Sequence, residues 1–111
     1  MSTMPPAVSK PPMTVAPEVY EYASKHGIEG ALQRLLEATP RVFPTAISLN
    51  VFMEADPEIR DYWFIVFELR VPAADLTDPV AADRRWGEEW ARAYPYPRMH
   101  RFVLSLIPVK E

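Results

Sequence analysis

Only two histidines occur in this chain, and their surroundings bound the chemistry on offer. His26 follows Tyr22 by one helical turn and Glu18 by two, so the three share a face if the segment is helical. A catalytic zinc ion takes three protein ligands, usually histidines with a carboxylate, and Tyr22 is a poor donor in the middle position. Glu21 is the nearest carboxylate in sequence, but its spacing turns it to another face. His100 lies in a proline-flanked stretch. The expectation for His26 is therefore a helix-end ring packed on Tyr22. The segment Glu54–Asp61 offers a second cluster, with Glu54, Asp56, Glu58 and Asp61 set against Arg60. A calcium loop needs oxygen donors at alternating positions, a glycine turn and a final bidentate glutamate. Here Pro57 intrudes and no glycine is present, so a solvated hairpin loop is expected. The chain has no cysteine, which excludes disulfides, thiolate catalysis and cysteine-based metal sites. Its three glycines, Gly27, Gly30 and Gly87, make no phosphate loop, and no serine sits in a nucleophile elbow. No catalytic residue, metal ligand set or cofactor site is predicted.

One motif points toward nucleic acid. Gly27-Ile28-Glu29-Gly30 has the GxxG form, and a helix, two strands and another helix are expected after it. In this it resembles the KH domains, whose GxxG loop grips the nucleic-acid backbone, over about half the chain. The resemblance implies contacts from Gly27, Gly30 and the nearby basic residues Arg34 and Arg41. The chain departs from that pattern at Glu29, a carboxylate where phosphate would sit, and in the apolar spacing of residues 31–39. A break between helices is the alternative meaning of the two glycines.

The elements that must carry these residues are plainer. Ile47, Leu49, Val51 and Met53 alternate with Ser48, Asn50 and Glu54, and after the acidic loop the alternation resumes with Trp63, Ile65, Phe67, Leu69 and Val71. This period of two predicts a β-hairpin with its odd-numbered face buried. Odd faces on one side require paired residue numbers to sum to an even value, since a slip of one would turn a whole apolar set to water. The simplest pairing sets Met53 opposite Trp63, Val51 opposite Ile65 and Leu49 opposite Phe67. On the even face Ser48, Asn50, Glu68 and Arg70 are polar, whereas Phe52, Tyr62, Phe64 and Val66 are not. That register puts Phe52 opposite Phe64. The apolar group is either a second small core under a helix or an interface for another chain.

Before the hairpin, Pro17 opens a helix that Gly27 closes. Ile28, Ala31, Leu32, Leu35 and Leu36 then form a helical stripe ended by Thr39-Pro40. After the hairpin, Asp78-Pro79 caps a helix running to about Tyr94. Trp86 and Trp90 anchor it, and Glu88 and Arg92 form its charge pair. Residues 101–109 read as a final strand without clean alternation, central or covered on both faces. A crossover through the preceding helix would lay it parallel to the second hairpin strand. The predicted fold is an α+β domain over residues 13–111: two helical segments, the hairpin, a helix and a strand, with a three-stranded sheet. Residues 1–12, with four prolines, read as a disordered arm, and Met13 is a candidate natural start.

Acidic and basic residues, 15 and 12 in number, are mixed along the chain for a net charge of −3. Such a chain has no basic stripe for a phosphate backbone, so nucleic acid is a disfavoured partner. No apolar run approaches the roughly 20 residues of a membrane span. Without a signal-peptide pattern, a cytoplasmic location is expected. By exclusion the sequence reads as a small non-enzymatic interaction module. It is expected to self-associate as a homodimer through Phe52, Tyr62, Phe64 and Val66, or to serve as the antitoxin- or immunity-like partner in a bacterial protein pair. A nucleic-acid-binding domain is the alternative, followed by a small enzyme or ligand-binding domain.

Overall fold

A computed structural model describes residues 12–93 and 102–110, apart from the side chains of Trp90 and Ala93. In chain order the elements are β1 (Met13–Val15), α1 (Pro17–Lys25), α2 (Glu29–Val42), β2 (Ser48–Ala55), β3 (Trp63–Pro72), a 3₁₀ turn (Ala73–Asp75), α3 (Pro79–Ala93) and β4 (Phe102–Val109). The fold is α+β, and the described residues form three helices and a mixed sheet of four strands in the order β1-β2-β3-β4.

The predicted three-stranded sheet is thus corrected by one strand. Met13–Val15 pairs parallel with Leu49–Val51, and the Pro12 carbonyl accepts the Leu49 N–H at 3.0 Å. Three residues are too few to show a period, and this strand exists because β2 offers an open edge. The remainder of the proposed N-terminal arm, residues 1–11, lies outside the described residues. β4 pairs parallel with β3, Phe102 lying beside Ile65. It is an edge strand, contrary to the expected central or doubly covered position. Pro108 fits there because a missing N–H is tolerated on an edge, and among the described residues no strand lies beyond.

The hairpin keeps the predicted parity but shifts by two residues. Leu49 faces Leu69, Val51 faces Phe67, Met53 faces Ile65 and Ala55 faces Trp63. The cause lies in the loop. The Asp56 carboxylate accepts the N–H groups of Glu58 and Ile59 at 2.7 and 2.8 Å. Asp61 turns the chain with φ of +60°, and the Asp56 N–H donates to the Tyr62 carbonyl at 2.8 Å. This folded loop continues the ladder further than the simplest pairing allowed.

Odd residues of β2 and β3 form the floor of the core. Leu49, Val51, Ile65, Phe67, Leu69 and Val71 are buried in one cluster with Val19, Leu32, Leu35, Trp86 and Phe102. All three helices contribute to that cluster, so they share one side of the sheet. The odd stripe outruns its cover at both ends, where Ile47 and Trp63 are exposed.

Gly27 closes α1 with φ of +68°. Its N–H donates to the Ser24 carbonyl and that of Ile28 to Ala23, the paired bonds of a Schellman ending. α2 does not stop at Thr39-Pro40 but continues to Val42. A proline this close to a helix end removes only one bond, and Thr39 is held in place by bonds of its own. α3 begins as predicted, the Asp78 carboxylate accepting the Ala81 N–H at 3.0 Å. Its charge pair is Glu89 with Arg92 at 2.7 Å rather than Glu88 with Arg92. Glu89 faces α2, where Arg41 approaches the same carboxylate at 3.9 Å. Tyr94 and His100 lie outside the described residues.

Candidate functional site

The even-numbered face of β2 and β3 lies opposite the helices. On it Phe52 sits directly across from Val66, and Val66 from Val103 of β4, so one apolar row crosses three strands. Val66 is only 4% exposed yet stands outside the helix-side cluster. Phe52 and Phe64 are half-buried and Val103 is 38% exposed. Tyr62, at the loop end, meets Phe64 edge to face with ring centroids 5.1 Å apart. That geometry sets the positive edge of one ring on the negative face of the other.

The predicted opposition of Phe52 to Phe64 is corrected by the register shift. Phe64 faces Glu54 across the ladder, one pleat away along the same face. Below the apolar row the face is polar: Asn50, Glu68 and Ser105 form one row, and Ser48 and Arg70 lead to Ile107 in the next. Val103 and Ile107 were missed in the sequence because β4 carries opposite parity. Its even residues Phe102, Leu104 and Leu106 face the core, being partners of Ile65, Phe67 and Leu69. Ser105, the one polar residue between Phe102 and Ile107, was the available signal for which face is which.

Three of the four GxxG-associated residues, Gly30, Arg34 and Arg41, are spread along α2, and Gly27 precedes it. Gly27 terminates α1 and Gly30 lies in the first turn of α2. Arg41 is eleven residues beyond Gly30, about 16 Å along the axis at 1.5 Å per residue. Arg34 and Arg41 instead line a hollow of about 300 Å³ with Glu37, Glu89 and Arg92. Carboxylates are interleaved with the guanidinium groups throughout it. His26 packs on Tyr22 with ring centroids 4.2 Å apart. Among the described residues, no three His, Asp or Glu side chains gather as a metal site, and Asp56 is committed to its own loop. Nor is any described helix long and apolar enough to cross a membrane.

Compared with known protein families, with curated proteins and with solved structures, the chain matches none.

Proposed function

We propose that the chain is an interaction module whose sheet face, on the side away from the described helices, binds a second copy of itself. The observation that carries this reading is the row Phe52–Val66–Val103, apolar across three strands, on the side away from the helices. Three of the four even-face pairs have the same character on β2 as on β3, Phe52 with Val66 apolar and Asn50 with Glu68 and Ser48 with Arg70 polar, while Glu54 with Phe64 is mixed. A two-fold axis along the strands, between β2 and β3, therefore lays Phe52 on the partner's Val66 and polar rows on polar rows. Over those three rows the face complements itself, as an isologous interface must.

The 29 residues of the four strands, at about 4.8 Å between strands and about 3.4 Å per residue, cover roughly 470 Å² in projection, with more in accessible area. A standard interface buries about 800 Å² per partner. The same axis brings Phe64 over the partner's Glu54, which makes Phe64→Glu a selective disruption. Size-exclusion chromatography with light scattering should give a dimer for the parent chain and a folded monomer for Phe64→Glu, with unchanged far-ultraviolet circular dichroism. A parent chain that stays monomeric at hundreds of micromolar, or a dimeric variant, refutes the reading.

A further inference from the structure

On the helix side of the sheet, at the hairpin-loop end, an open groove of about 340 Å³ is lined by Trp63, Tyr22, Met53 and Glu18. Trp63 is 43% exposed there, unusual for an indole on the core face of a strand. Its position is fixed by the sheet, since Trp63 pairs with Ala55 and its carbonyl accepts the Tyr22 hydroxyl at 3.3 Å. Tyr22 packs in turn against His26, ring centroids 4.2 Å apart. Two aromatic side chains and a thioether thus line a concavity that needs no rearrangement to form.

The charge around the groove is predominantly acidic. Glu18 lies within it, and among the described residues no hydrogen bond or ion pair engages its carboxylate. The adjoining loop adds Glu54, Asp56, Glu58 and Asp61 against Arg60 alone, five acidic groups to one basic with Glu18 included. Aromatic faces attract cations through their quadrupole, and indole does so most strongly. A carboxylate beside such rings completes the complement to a positive charge with apolar skin. A bare metal ion would find too few oxygen donors here, and a neutral hydrocarbon would leave Glu18 unused.

We infer that this groove is a binding site for a small alkylammonium ion, its methyl or methylene groups against Trp63, Tyr22 and Met53 and its charge facing Glu18. The site is on the opposite side of the sheet from the proposed dimer face, so the two stand or fall separately.

The test is a nuclear magnetic resonance titration with choline, read at the Trp63 indole N–H, which is identified by its loss in Trp63→Phe. Its neutral isostere 3,3-dimethyl-1-butanol has the same shape without the charge. Choline should shift the Trp63 signal saturably with Kd in the millimolar range, and the isostere should bind at least five-fold more weakly. Glu18→Gln, an exposed substitution that leaves the fold intact, should weaken choline at least three-fold and leave the isostere unchanged. A signal that does not saturate by 100 mM choline overturns the proposal. So does equal binding of the two probes, which would mark the groove as merely greasy.

Discussion

Thr39 is fully buried, and its hydroxyl has two partners: it donates to the Leu35 carbonyl at 2.6 Å and accepts the Trp86 indole N–H at 3.0 Å. The first bond is local to α2, while the second ties α2 to α3. Trp86 also packs on Phe67 with centroids 5.5 Å apart, so one side chain joins two helices to the sheet. Replacing Thr39 by valine keeps the shape but leaves the indole N–H without an acceptor in the core, a loss of about 1–3 kcal/mol. In a Trp86→Phe background the same change should cost well under 1 kcal/mol, because no donor remains to be orphaned. Urea denaturation of the four proteins measures that coupling, and equal costs in both backgrounds would refute the bond's importance. Trp86 was legible in the sequence as an anchor, since its spacing put it on the apolar stripe of α3. Thr39 was read only as a helix terminator before Pro40. A hydrogen bond between residues 47 apart leaves no local pattern, so its second role required the fold.

At the scale of elements, two glycines three residues apart make opposite predictions. Neither has anything within 4 Å of where a Cβ would stand, so packing does not decide the outcome. Gly27 holds a left-handed conformation, and Gly27→Ala should destabilise by about 1–2 kcal/mol through backbone strain. Gly30 lies in the first turn of α2, where alanine suits the backbone better, and Gly30→Ala should stabilise by roughly 0.5–1 kcal/mol. Thermal melts of the two variants should therefore shift in opposite directions. A glycine needed only as flexible punctuation would show two changes of one sign. The break at Gly27 was legible because a positive φ has a residue-type signature. The parity of the hairpin was legible for a similar reason, as alternation is a property of each strand alone. Its register was not, because the loop from Asp56 to Tyr62 folds through side-chain bonds that composition does not announce. β1 and the edge position of β4 were hidden more deeply, since both depend on which neighbours other strands leave free.

The described residues form two layers, with helices on one side of the sheet and an apolar row on the other. That asymmetry makes the two faces of β3 respond differently to the same insult. Leu69 faces the core and is fully buried, so Leu69→Asp places a charge among leucines and should unfold a domain whose total stability is of the order of 5–15 kcal/mol. Dilution or concentration should not rescue it. Phe64 is half-buried on the far face, and a charge there should cost association rather than folding. Mass action gives the discriminating readout: binding that occurs only between folded chains raises the melting temperature as protein concentration rises. The parent chain should melt measurably higher at 500 μM than at 5 μM, and Phe64→Glu should melt at one temperature across that range. A parent melting point independent of concentration would mean that the open face has no second copy upon it. A variant that fails to fold at every concentration would instead make Phe64 part of the molecule's own core, and the interface reading would fall with it.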